Sequence, residues 1–348
     1  MGFIEREGAL MEKKTSLLTK CILTLIFPVL MFLVMLIITA ANPKTYVNGH
    51  LIFLTQDMVV QVLVNSCMTI CVALAIWLQL KNGRFDFSGG ASMVLAAIVA
   101  GNIGANTGSP YAALIAALVM GIVLSLFTAL VYMFGRLPII ICTIGTTLLY
   151  ESITYLVFGG QGIRTFYSNS KLSIFGRMPG ALIPALLAIL VFVVYTNHTV
   201  EGRKGKILSN NQRAGVNIGI RENRNVLISY LFTGLIIGFA AIVYVSQNEV
   251  GPQSGLATSS IMFSYIVPVF MGTFIGLASN DVIGIAIAAI GMEIMNYGLN
   301  CLNLGAGGWQ QIIMGVFVLG FYAFSAQTDK LAKFFARFRK TPAVERGN

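Results

Sequence analysis

Apolar runs of bilayer-crossing length recur along nearly the whole chain, separated by short polar segments. They fall at about residues 21–41, 59–80, 86–105, 111–134, 137–158, 181–198, 226–246, 259–276, 282–301 and 309–327. A helix needs roughly 20 apolar residues to cross a hydrocarbon core, so this pattern predicts about ten transmembrane helices, the shorter ones tilted, broken or re-entrant. Composition points the same way. With 56% hydrophobic and 10% charged residues and a mean hydropathy of +0.81, a chain of 348 residues cannot cover a water-soluble globule with polar surface. The expected fold is an all-α polytopic membrane protein. Lys13, Lys14 and Lys20 before the first run, and Ala40 and Ala41 closing it, give it the flanks of a signal peptide. Its apolar core is too long for one, and it reads as a retained span.

Basic residues favour the cytoplasmic side of membrane proteins and therefore orient the spans. With the N-terminus inside, 19 of the 23 Lys and Arg residues fall in inner segments, including Lys81, Arg84, Arg136, six in residues 199–225 and six between Lys330 and Arg346. Lys44, Arg164, Lys171 and Arg177 remain outside. Both termini are thus expected in the cytosol, and the net charge of +10 is mostly a topology signal. Charges scattered over short inner loops do not form a nucleic-acid surface, although the basic tail suits anionic lipid. The chain divides into a cytoplasmic segment at 1–20, a transmembrane domain at 21–327 containing the polar 199–225 loop, and a basic cytoplasmic tail at 328–348.

Catalytic and metal chemistry find little support. Cys21, Cys67, Cys71, Cys142 and Cys301 lie in or beside apolar runs, where small-residue packing explains them. Cys67 and Cys71 share a helical face, yet no second pair or His cluster completes a metal site. His50 and His198 stand alone near span ends. GxSxG, HExxH and Walker A patterns are absent from the sequence, so ATP-driven work would need a separate chain. No metal or cofactor is expected.

The second to fifth runs occupy residues 59–158 and the seventh to tenth 226–327, which gives two four-span halves entering the membrane from opposite sides. Inverted halves are a common transporter plan, with the pathway between them near the midplane. Thirty-six glycines permit close crossings and interrupted helices, as in the groups Gly89, Gly90, Gly101, Gly104 and Gly135, Gly145, Gly159, Gly160, Gly162. Polar residues inside apolar spans are costly and mark either helix–helix hydrogen bonds or a solute path. Gln61 and Asn65 share one face of a helix, Glu293, Asn296 and Asn300 form a stripe on another, and Glu151 is a second in-span carboxylate.

Several short motifs, in order, carry a resemblance. Thr199 and Gly202 followed by Asn211, Ala214, Gly219 and Ile220 resemble the cytoplasmic T-x-x-G and G-N-x-x-A-A-x-x-x-G-I loop of the ribose/galactoside-type (branched-chain amino acid/sugar) ABC importer permeases. The stretch NYGLNCLNLGAGGWQQIIMG at residues 296–315 is similar to that family's N-x-G-L-N followed by W-Q-Q, which adds Gln310 to the path residues. Leu137-Pro138 with Thr143 and Gly145, the turn Gly159-Gly160-Gln161, and Asp86, Ser88 and Gly90 in the place of G-G-I-D-L-S-x-G extend the likeness over roughly residues 50–325. Departures mark a divergent member. Arg84 places a cation beside Asp86, Asn210 and Gly215 replace a glycine and an alanine of the loop motif, and the Glu-Leu pair and G-G-T-S run shrink to Gly272-Thr273. These leave room for a specialised or heterodimeric subunit.

The resemblance implies a permease subunit of a bacterial ABC importer in the inner membrane, moving a sugar or nucleoside by alternating access. It implies three protein partners: an ATPase subunit, an extracytoplasmic substrate-binding protein and a second permease subunit. The 199–225 loop would seat in the ATPase, with Gly202, Asn211, Ala214, Gly219 and Ile220 as its coupling residues. Ser209 or Asn210 is suited to cap a short helix there, and Gly219 to stop it. Solute-path candidates are Gln61, Asn65, Asp86, Glu293, Asn296, Asn300 and Gln310. The rival readings are an ion- or proton-coupled secondary transporter, in which Glu151 and Glu293 titrate, and, remotely, a membrane enzyme.

Overall fold

The computed structural model describes residues 17–326 except 48, 136, 278, 306 and 307. Arg136, most of the 1–20 segment and the whole 328–348 tail lie outside the described residues. Among the described residues thirteen α-helices run in order: α1 Leu17–Ala41, α2 Gln56–Lys81, α3 Gly89–Thr107, α4 Pro110–Gly135, α5 Ile139–Thr154, α6 Thr165–Ser168, α7 Leu182–Val193, α8 Val200–Asn210, α9 Gln212–Asn217, α10 Glu222–Gln247, α11 Ala257–Gly276, α12 Asp281–Cys301 and α13 Gly308–Ala326. A two-strand ribbon pairs Tyr46 with Leu51 and Val47 with His50 between α1 and α2.

The polytopic all-α architecture holds, but the count of spans is lower than the apolar runs suggest. Among the described residues seven helices are long and apolar enough to cross a membrane, or eight if α7 and α8 are counted as one broken span. The run at 137–158 yields only the 16-residue α5, because Phe158 and Gly159 take positive φ (49° and 69°) and turn the chain. The run at 181–198 ends in a π-helical turn, Val194–His198, and the chain then bends 75° into α8. The third run starts three residues later than expected: Asp86 and Ser88 are buried in a turn that precedes α3.

The 26-residue helices α2 and α10 form the buried centre and pack on each other. Each is about 39 Å long at 1.5 Å per residue, enough to cross the hydrocarbon core with a turn to spare. Around them, α3 packs on α4 and α11 on α12, while α4 lies against α10 and α12 against α2. Glycine sets the closest crossing. A Cβ on Gly121 of α4 would lie 2.8 Å from the Gly238 nitrogen of α10, and one on Gly234 would lie 2.6 Å from the Gly121 carbonyl. Only hydrogen fits there, so the two backbones touch.

The outer faces are apolar, as a lipid environment requires. Leu25, Ile26, Val29 and Ile37 on α1, Ile115, Val119 and Val123 on α4, and Ile183, Leu186 and Leu190 on α7 are all exposed. On its inner side α1 sets Phe27, Met31 and Met35 into a cluster with Met271, Met292 and Leu299. Buried hydroxyls on the spans mostly return to their own helix, as Ser66 Oγ does to the Val62 carbonyl at 2.6 Å.

Candidate functional site

A polar cavity of about 360 Å³ opens between α2, α10, α11, α12 and the start of α13. Asn65, Glu293, Asn296, Asn300 and Gln310 line it together, bringing α2 against the consecutive helices α12 and α13 from more than 200 residues away. Helical periodicity explains the core of the wall: residues 293, 296 and 300 fall on one face of α12. Glu293 is buried and accepts a 2.6 Å hydrogen bond from Thr69 Oγ1 on α2. Gln310 Nε2 donates to Asn296 Oδ1 at 3.0 Å, which fixes the first turn of α13 over the stripe. Gln247 closes another side and donates to the Val64 carbonyl at 3.1 Å. Thr69, Tyr244, Gln247, Asn248, Ser264 and Tyr265 also line the cavity and were not singled out from the sequence. Spacing carried a signal for most of them: Thr69 follows Asn65 by four residues, Tyr244 precedes Gln247 and Asn248 by three and four, and Ser264 follows Ser260 by four.

Two expected path residues lie elsewhere. Gln61 is exposed on α2 and does not line the cavity. Asp86 is buried and spends Oδ1 on the chain itself, accepting from Ser88 N and Ser88 Oγ at 2.7 Å each. Such a short-range carboxylate turn steers the backbone into α3. Ser88 Oγ continues to Thr128 Oγ1 at 3.3 Å, which meets Tyr150 OH at 2.9 Å. Arg84 does not pair with Asp86. Its guanidinium donates to Ser229 Oγ at 2.9 Å and Asn225 Oδ1 at 2.8 Å on α10.

Glu151 proves to be a helix cap. Its Oε1 accepts from Thr258 N (2.8 Å) and Thr258 Oγ1 (2.6 Å), and its Oε2 from Leu256 N (2.8 Å). A carboxylate there meets unpaired N–H groups and the positive end of the α11 dipole. Leu256 itself has φ 66°, so the chain enters α11 through a left-handed residue held by this cap. The α3 and α11 N-termini meet here: the Thr258 carbonyl lies against Gly90 with no room for a Cβ.

The 199–225 segment forms an elbow of two short helices. Thr199 Oγ1 caps α8 by accepting from Gly202 N at 3.0 Å, and Asn211 Oδ1 caps α9 by accepting from Ala214 N at 3.0 Å. The α9 cap is therefore Asn211, not Ser209 or Asn210: Asn210 ends α8, and Ser209 Oγ bonds back to the Lys206 carbonyl. Gly219 at φ 90° ends α9 as expected. Asn211, Ala214 and Gly219 are exposed, Gly202 is half-buried, and Ile220 is buried. Exposed Val216 and Ile218 add an apolar tip. The inner face of α8 rests on the α2–α3 turn, where Gly205 abuts Asn82, whose Oδ1 accepts from Tyr195 OH at 2.8 Å. Buried Glu201 pairs with Lys204 at 3.1 Å and with Arg224 at 3.4 Å, tying α8 to α10.

A family of branched-chain amino acid transport system permease components matches residues 58–322, a span holding the cavity, the cap and the elbow. The chain belongs to this family. The permease is 25% identical over 295 residues to the ribose import permease protein RbsC of Bacillus subtilis (strain 168), covering 83% of this chain and 88% of that protein. It is 26% identical to the autoinducer 2 import system permease protein LsrC of Enterobacter sp. (strain 638), covering 82% and 81%. With the D-allose transport system permease protein AlsC of Escherichia coli (strain K12) the identity is 22%, covering 80% and 86%. No solved structure matches the permease significantly. As a multi-pass membrane permease, it contains, among the described residues, no cluster of His, Cys, Asp and Glu able to hold a metal ion.

Proposed function

We propose that the chain is the membrane subunit of a bacterial ABC importer, carrying a sugar or nucleoside across the inner membrane by alternating access. The polar cavity carries this reading: an amide, phenol and carboxylate wall set within an apolar bundle suits a hydroxyl-rich solute and little else. Relatives named for ribose, autoinducer 2 and D-allose import support the same solute class. Residues 293, 296, 300, 65 and 310 are the solute-facing set. In this reading there are ten crossings, with α5, the α7–π-turn segment and α13 as the shorter ones, and both termini in the cytosol. The pairing of α3 on α4 with α11 on α12 is what two inverted halves would produce.

The α8–α9 elbow is then the cytosolic contact for an ATPase subunit. Its exposed tip offers Ala214, Val216 and Ile218 to a partner, and its packing on the α2–α3 turn and α10 carries displacement into the central helices. An extracytoplasmic binding protein delivers solute, and a second permease subunit completes the pathway. The test is to purify the chain with its genomic neighbours and measure solute-stimulated ATP hydrolysis in liposomes. Uptake that ignores ATP and collapses with the proton gradient would instead favour a proton-coupled carrier working through Glu293.

A further inference from the structure

Arg84 departs from the family motif at the α2–α3 turn, and its partners lie on α10. One of them, Asn225, is fully buried in the first turn of that helix. Its Oδ1 accepts from Arg84 Nη2 at 2.8 Å, while its Nδ2 donates to the Glu201 carbonyl of α8 at 2.8 Å. A guanidinium can only donate and a carbonyl can only accept, so the amide has one workable orientation and joins three elements at once. We propose that Asn225 is a positioning residue for coupling: it makes α8, the first turn of α10 and the α2–α3 turn one rigid body, so that a displacement of the elbow reaches the start of α3 as well as α10. The inference rests on the importer reading for the force that moves the elbow.

Polar ties from the elbow also reach α10 at Glu222 and Arg224, and burial ranks them below Asn225. Glu222 Oε1 accepts from Gln212 Nε2 of α9 at 2.5 Å and from Tyr132 OH of α4 at 3.1 Å, but the Gln212 contact is exposed. The Glu201–Arg224 pair is 3.4 Å long, with the arginine side chain 66% exposed. Water can replace either tie at little cost. Asn225 has no such exchange, because parting from Glu201 or Arg84 would leave a buried amide group unpaired and cost its full desolvation. Arg84 is buried too, and Ser229 Oγ, one turn along α10, accepts from its other terminal nitrogen at 2.9 Å. From Arg84 the chain runs two residues to Asp86, whose turn opens α3.

The test uses the full chain purified with its genomic neighbours, in liposomes. Asn225→Asp keeps the shape and the bond from Arg84, but a carboxylate paired with a guanidinium has no hydrogen to donate, so two acceptors then face each other at Glu201. The expected result is ATP hydrolysis close to wild type with the solute moved per ATP lowered about ten-fold, the worth of one buried hydrogen bond. An unchanged ratio, or hydrolysis and uptake falling together in proportion, would overturn the coupling role, the second outcome marking a merely structural bond. Another measurement does not depend on that variant folding. Spin labels at Arg203→Cys on α8 and Asn223→Cys on α10, both exposed positions, are placed in a chain that carries Cys21→Ser and Cys301→Ser. Their separation should stay within about 3 Å between the nucleotide-free and ATP-bound complexes, and a larger change would overturn the rigid body. Failure of the importer reading would show separately, as a wild-type complex whose ATP hydrolysis does not respond to solute, and would remove the proposal with it.

Discussion

The cap on α11 yields a graded prediction. Glu151 receives three hydrogen bonds from Leu256 and Thr258 in a buried setting, and each is charge-assisted. Thr258→Val deletes only the hydroxyl bond, at about 1–2 kcal/mol. Glu151→Gln keeps one acceptor oxygen but turns an amide NH₂ towards the Leu256 N–H, so it loses one bond and leaves a buried donor unpaired, at about 2–3 kcal/mol. Glu151→Ala leaves all three donors without an acceptor and frees the left-handed residue 256, a loss of roughly 4–6 kcal/mol at about 1.5–3 kcal/mol per bond to a charged group, less the relief of the carboxylate's own desolvation. The assay is the midpoint of irreversible loss of monodisperse protein on heating in detergent. The order expected is wild type, T258V, E151Q, E151A, from most to least stable. An E151A midpoint equal to wild type would refute the cap, and T258V falling below E151A would refute the assignment of the bonds.

At the α4–α10 crossing, Gly121→Ala forces a methyl group against backbone on both sides and should cost about 1–3 kcal/mol, read as the same thermal midpoint. Asp281→Asn weakens a pair whose side chains are 28% and 31% exposed, so the midpoint should move by less than about 1 kcal/mol equivalent; a large fall would show that the pair is more strongly held than its exposure implies. In the elbow, Ala214→Arg or Gly219→Trp should leave insertion intact and separate ATP hydrolysis from solute uptake, and normal uptake by both would return the elbow to an ordinary solvated loop. Glu201→Gln, by contrast, weakens the tie from α8 to Arg224 on α10 and should raise protease sensitivity at 199–221 without altering the amount of protein in the membrane.

Much of this architecture was legible because bilayer burial writes itself into long apolar runs. The helices α2, α4, α10, α11 and α12 match their runs to within four residues at each end. The misreadings share a cause: hydropathy does not register backbone geometry. Phe85 and Phe87 made residues 86–88 look like span, yet Asp86 bends the chain there through its own side chain. Leu156, Val157 and Phe158 prolonged the fifth run past the point where Phe158 and Gly159 turn away. In the cavity, the stripe on α12 was readable from spacing alone. The spacing of Tyr244 and Asn248 at the end of α10 was readable too, but not which spans lie beside the α12 stripe, because helix neighbours are not written in any one run. Gln61 failed for the opposite reason. Sharing a face with Asn65 fixed its direction but not its height, and one turn along α2 carries it out of the cavity.

The contact between Gly90 and the Thr258 carbonyl limits how the bundle can move. Two helix ends touching backbone to backbone have no compressible side chain between them, so neither can advance into the other, and sliding sideways would tear Thr258 from Glu151. What remains is tilting about the point of touch. In the proposed coupling, a displacement carried from the elbow to α3 or α11 would swing the far end of that helix about its pinned first turn.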